Sequence, residues 1–140
     1  MQPYFQLFVN LLQLIGETIT VVDDEQPHKG QIDKIPSLRA AFAQDGTITA
    51  ANASSISDGA SALILASESA VREQGLTPMA KIVAHARWSR LPAEFTLAPV
   101  DAITALLNKT GWSASDVDLW EINEAFAMVT MLAMRAHGTI

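Results

Sequence analysis

No cysteine occurs among the 140 residues. Disulfides, thiolate metal sites and thiol nucleophiles are therefore excluded for these residues, and cysteine usage says nothing about redox compartment. Histidine is scarce as well: His28, His85 and His137 lie far apart and lack the spacing of metal ligands, so no metal site is expected. Charged residues make up only 17% of the chain, and they lean acidic, 15 Asp and Glu against 9 Lys and Arg. The net charge of −6 gives no positive surface for nucleic acid and no attraction to acidic membranes, so neither is expected as a partner. An anionic cofactor held by a few local cations remains compatible with that balance. No serine stands in a Gly-x-Ser-x-Gly elbow, and no glycine run matches a phosphate loop. There is no close internal repeat and no low-complexity segment.

What the chain has in abundance is apolar side chains, 49% of the total. A chain of this length can build one domain with a real core. So apolar and charge-poor a composition suits a core-rich slice of a larger protein, or a subunit that buries much surface in an oligomer. The residues 1–15 are the most apolar stretch, with Gln2, Gln6, Asn10 and Gln13 on a narrow polar stripe. It is shorter than the ~20 residues of a membrane helix. It also lacks the basic start and cleavage site of a signal peptide. Helical spacing predicts a largely buried helix ended by Gly16.

Glu17–Val22 is β-branched and alternating, which predicts a strand. Asp23–Gly30 is an acidic loop. Lys29, Lys34 and Arg39 put three cations in a short span, either as phosphate contacts or as a solvated face. Asp45-Gly46 predicts a turn. From Thr47 to Ser57 the side chains are small, and Ala50, Ala51, Ala53, Ser54 and Ser55 would let a ligand approach the backbone closely. A tight crossing of buried elements would leave the same pattern. Phe42 upstream reads by itself as a core residue.

Ala60–Ala66 is an uninterrupted apolar run, as in a strand buried on both faces. Ser67 is placed to cap a helix over Glu68–Gln74 that Gly75 ends. Lys81–Trp88 is a second predicted strand, with His85 as a core or edge residue. Pro99 opens a helix whose apolar face is Val100, Ile103, Leu106 and Leu107, and Gly111 closes it. Val117–Ile122 predicts a third strand, and an Ala- and Met-rich helix follows. Strand, helix, strand, helix from Lys81 onward argues for a parallel α/β sheet. Asn123 falls at the last strand–helix handover. It reads either as a helix cap or as a polar group at a carboxyl-end cleft. Glu121 and Glu124 beside it read as surface charge.

Two segments carry a family resemblance. Asn123-Glu124-Ala125-Phe126-Ala127 resembles the NEAFA motif of the thiolases, and Gly46–Ala60 is similar to their coenzyme A loop. Their order and separation fit as well. The resemblance runs from roughly Glu17 to Arg135 and covers only a middle portion of a thiolase; residues 1–16 depart from the pattern. It implies a partial thiolase-like α/β fold, with residues 1–57 as a loop-domain remnant, 58–76 as the end of the first half and 77–140 as the start of the second.

Function follows as an implication of the same resemblance: acyl transfer between coenzyme A thioesters, by Claisen condensation of two acetyl-CoA to acetoacetyl-CoA or by the reverse thiolysis. Thiolases use a Cys nucleophile, a second Cys as acid/base, and an oxyanion hole built from a Gly-His-Pro His and a water held by the motif Asn. Asn123 matches that Asn. Phe42, Ala50, Ala51, Ser54, Ala125 and Phe126 match positions that border the coenzyme, though thiolases commonly carry Gly where Ala51 stands. Both cysteines and the Gly-His-Pro motif are expected outside these residues, so the 140-residue chain alone is expected to be inactive. Acyl-CoA is the implied substrate, no covalently bound cofactor is expected, and homo-oligomerisation and a cytoplasmic location are expected. A ketoacyl synthase relative and a non-catalytic coenzyme A-binding or subunit-interaction module are the alternatives.

Overall fold

The computed structural model describes residues 9–11, 19–24, 26–57 and 59–138. The chain divides into two compact units, Met1–Leu38 and Arg39–Ile140.

In the first unit, β1 (Val9–Leu11) pairs antiparallel with β2 (Ile19–Val21), in the register Val9 to Val21, Asn10 to Thr20 and Leu11 to Ile19. The strand expected over Glu17–Val22 is thus present at its centre. The helix expected over residues 1–15 is contradicted at Val9–Leu11, where cross-strand pairing overrides the helical spacing; the rest of that stretch and Gly16 lie outside the described residues. A short helix, α1 (Gln26–Lys29), interrupts the expected loop, and the Asp24 carboxylate accepts the Gln26 N–H at 2.9 Å. A 3-10 helix spans Ile32–Ser37.

The second unit holds three longer helices whose ends follow local chemistry. Ser67 caps α2 (Glu68–Gln74) by accepting the Ala70 N–H at 3.2 Å, and Gly75 ends it at φ 63°. Pro99 sits in the first turn of α3 (Ala98–Thr110), and Gly111 terminates it in the left-handed region at φ 72°. The last helix is α4 (Ala127–His137). α3 and α4 pack on each other, and both pack on a 3-10 helix at Pro92–Leu97. Val129 and Ala133 are the buried centre, 3% and 2% exposed. They stand four residues apart and so share one face of α4.

The three predicted strands of this unit, at 60–66, 81–88 and 117–122, are not formed as strands among the described residues. The only ladder described is the antiparallel β1–β2 pair. A strand needs a partner for its backbone N–H and C=O groups, and a parallel partner arrives only through a long crossover. Without one, the apolar run is left bare: Ile64 is 98% exposed. Their apolar composition suits covered strands, but no strand partner for them is found among the described residues.

Candidate functional site

The two segments that carry the motifs meet. Ala53 and Phe126 form an isolated antiparallel bridge. Ser54 N–H donates to the Ala125 carbonyl at 3.1 Å, and Ala127 N–H donates to the Asn52 carbonyl at 3.0 Å. These are main-chain bonds, so they fix backbone against backbone regardless of the side chains at 53 and 126.

Asn123 does not cap α4. The cap residue is Phe126, extended at φ −141° and ψ 150°, with no side-chain cap. Pairing with Ala53 demands that extended backbone, which delays the helix to Ala127. The Asn52 carbonyl and the Phe126 carbonyl, which accepts the Val129 N–H at 2.9 Å, take up first-turn donors instead. Asn123 is left exposed, with no hydrogen bond to its side chain among the described residues.

The small-residue loop is shaped by a residue to which sequence reasoning gave no role. Asn52 Oδ1 accepts the Thr49 N–H at 2.7 Å, and its Nδ2 donates to the Thr47 carbonyl at 3.0 Å. Thr49 Oγ1 accepts the Ala51 N–H at 3.2 Å, and Ala41 N–H donates to the Ile48 carbonyl at 2.7 Å. Asn and Thr habitually bond to nearby backbone in this way, so Thr-Ile-Thr-Ala-Ala-Asn carried a legible signal.

Three phenylalanines close over the junction. Phe42 meets Phe126 edge to face, with centroids 6.0 Å apart and planes at 83°. Phe95, from the 3-10 helix at Pro92–Leu97, lies 5.9 Å from Phe126 at 57°. Phe95 was also missed, because nothing in a lone Phe inside an irregular segment predicts its contact. Of the expected site residues, Phe42, Ser54, Ala125 and Phe126 thus gather at one junction. Ala50 and Ala51 sit exposed in the turn that leads to it, and Asn123 lies just before it. His85 takes no part; its carbonyl accepts from Lys109 Nζ at 3.1 Å.

Two open hollows lie elsewhere. One, of about 540 Å³, is lined in part by Ser113, Asp118, Trp120 and His137, with Trp120 and His137 stacked at 6.3 Å. The other, of about 440 Å³, lies along Met128, Met131 and Met134. Neither includes an expected site residue. The perturbed titrations involve no expected site residue. The Arg90 guanidinium holds the Asp101 carboxyl below its ordinary range, bonding it through Nε and, at 3.0 Å, through Nη2. The Ser113 hydroxyl and N–H do the same for Asp116. The first pair ties Arg90 to the first turn of α3, and the second is a local clamp on a turn. Among the described residues no group of three metal-ligating side chains converges.

Comparison with known proteins gives this geometry its context. Residues 8–69 match the model of the thiolase N-terminal domain, and residues 76–139 match that of the thiolase C-terminal domain. The chain belongs to the thiolase family. The bridge at Ala53 and Phe126 therefore joins segments matched to two thiolase domains. A probable acetyl-CoA acetyltransferase of Dictyostelium discoideum is 51% identical over 114 residues, which is 81% of this chain and 28% of that protein. An acetyl-CoA acetyltransferase of Yarrowia lipolytica is 45% identical over 121 residues, 86% of this chain and 30% of that protein. Among solved structures, the Acat5 thiolase of Ascaris suum in complex with coenzyme A superposes with a TM-score of 0.82 at 40% identity, over 85% of this chain and 32% of that one. The acetyl-CoA acetyltransferase of Bacillus anthracis superposes with a TM-score of 0.86 at 34% identity, over 94% and 34%. The backbone is thus that of the thiolase-like α/β fold, and the chain spans about a third of the length of the thiolases it matches.

Proposed function

We propose that these residues are the coenzyme A-facing part of a thiolase that exchanges acyl groups between coenzyme A thioesters: two acetyl-CoA to acetoacetyl-CoA, or the reverse thiolysis. The observation that carries the reading is the main-chain junction of the small-residue loop with the Asn123–Phe126 segment. Relatives named acetyl-CoA acetyltransferases support the reaction, and a coenzyme A complex of a similar thiolase supports the ligand.

In this reading Ala50, Ala51 and Ser54 line the pantetheine path, because their side chains are short enough for an extended ligand to run along the backbone. Phe42, Ala125 and Phe126 border the coenzyme. Asn123, whose side chain has no hydrogen-bond partner among the described residues, holds the water that completes an oxyanion hole. Such a donor stabilises the negative charge that builds on the thioester oxygen as the carbon–carbon bond forms or breaks. In this reading the acyl-carrying thiol, the second thiol and the oxyanion histidine come from residues other than these 140, since neither a cysteine nor a Gly-His-Pro sequence is among them. Residues 1–57, 58–76 and 77–140 serve as loop domain, end of the first half and start of the second. The working protein is a cytoplasmic homo-oligomer with acyl-CoA as its partner molecule. Relatives carry both cytosolic and mitochondrial names, so the compartment is tested by localising a tagged protein.

The test is an acetoacetyl-CoA thiolysis assay on the polypeptide that carries these residues in its natural source, beside the pure 140-residue chain. Turnover is expected from the first and none from the second. Asn123→Ala in the first is expected to lower kcat by about 10²–10³, the usual cost of one oxyanion-hole donor. Turnover by the pure chain, or an Asn123→Ala variant with unchanged kcat, overturns the assignment.

A further inference from the structure

We infer that Asn52 is the positioning residue of the junction: one side chain shapes the small-residue loop, and the carbonyl of the same residue fixes where α4 begins. The inference rests on the coenzyme reading above only for its ligand; the coupling itself is a matter of geometry.

Asn52 makes contacts in two directions. Toward the loop, Oδ1 accepts the Thr49 N–H at 2.7 Å, Nδ2 donates to the Thr47 carbonyl at 3.0 Å, and the Asn52 N–H donates to the Thr49 carbonyl at 3.2 Å. Those bonds close the turn that carries Ala50 and Ala51. Toward the other segment, the Asn52 carbonyl accepts the N–H of Ala127, the first residue of α4, at 3.0 Å. Next along the chain, Ala53 bridges Phe126 and Ser54 bonds Ala125. A loop built of Thr, Ala and Ser has few large side chains to hold its shape, so the amide of Asn52 does that work with one acceptor and one donor. No other proteinogenic side chain offers an acceptor and a donor at that reach: Asp lacks the donor when ionised, Ser is too short, and Gln is one methylene too long.

Asn52 is not among the residues assigned above to the coenzyme or to the oxyanion hole. Its effect on coenzyme binding runs through the Ala50–Ser54 backbone and through the Asn123–Phe126 segment. Loss of its side chain therefore loosens both walls of the junction together.

The test follows backbone amide exchange by NMR together with a coenzyme A titration. Asn52→Ala is expected to cut protection at Thr49, Ser54 and Ala127 together, and to raise the dissociation constant for coenzyme A by about tenfold or more, in line with two lost hydrogen bonds. Asn52→Asp supplies a second readout that a purely structural role would not move. At neutral pH its carboxylate keeps the acceptor for Thr49 but opposes the Thr47 carbonyl. As the pH falls and that carboxyl gains a proton, its O–H replaces the lost donor, and protection relative to the unaltered chain is expected to recover. Unchanged protection at Ser54 and Ala127 in Asn52→Ala overturns the inference, as does an Asn52→Asp variant with no recovery in acid. If the unaltered chain fails to bind coenzyme A while the three amides still respond together, the coenzyme reading falls and the coupling stands.

Discussion

Phe126 is placed to report whether the junction is held by ring contacts as well as by backbone bonds. A double-mutant cycle separates the two. Phe126→Leu keeps an apolar side chain of similar bulk and removes the ring edges; Phe42→Leu and Phe95→Leu do the same from the other sides. Well-placed aromatic pairs contribute about 0.5–1.5 kcal/mol beyond the area they bury. Phe42 is 76% exposed and Phe95 44%, so solvent competes more strongly for the first pair. The Phe42–Phe126 coupling is expected at about 0.5 kcal/mol and the Phe95–Phe126 coupling at about 1 kcal/mol, the low end and middle of that range. Urea unfolding followed by circular dichroism reads both, provided the midpoints are fixed to about 0.2–0.3 kcal/mol, since unconnected sites already add only to within about 0.3–0.5. Two couplings indistinguishable from zero would show that the rings sit together without holding anything. A Phe42 coupling larger than that of Phe95 would refute the use of exposure to rank them.

Gly111→Ala is expected to destabilise by about 1 kcal/mol, because its φ of 72° disfavours any side chain while a new methyl would meet nothing within 4 Å. Gly59→Ala, equally open but without that backbone, is expected to be neutral or slightly stabilising; equal losses at the two sites in thermal melts would show that something other than backbone conformation sets the cost. The Asp101 carboxyl is depressed below 3.8 by Arg90, so the pair's contribution is complete above that value and fades as acid carries the pH down through the lower folded one. Asp101→Asn should remove that part of the acid dependence in pH-stepped unfolding, and an unaltered profile would show that the pair contributes nothing measurable.

The helices were legible because their signals are local. Ser67 before an acidic first turn, Pro99, and the glycines at 75 and 111 each act within one turn of the chain, so Glu68–Gln74 and Ala98–Thr110 emerge where the residues place them. Of the strands only the one over Glu17–Val22 emerged, at Ile19–Val21; those expected at 60–66, 81–88 and 117–122 did not, because pairing is a property of two segments. Ala60–Ala66 has the composition of a buried strand and no described neighbour to make it one. Val9–Leu11 shows the reverse case, a helical spacing overridden by Ile19–Val21 across a ladder. At the site, both motif segments could be named from their residues. What could not be read is that Phe126 must stay extended to meet Ala53, which moves the helix start past Asn123 and releases the very side chain that a local reading assigns to a cap.

The Ala53–Phe126 bridge also has a kinetic meaning. It closes a loop of about half the chain, and loop closure costs entropy before its contacts return any. The helices, whose bonds are local, form without it. The junction is thus a late event in folding and, resting on a few main-chain bonds, an early one to open. Thermal or chemical stress should open the junction while the helical signal is still intact, so circular dichroism alone will overstate how much of this thiolase segment keeps its two motif segments together.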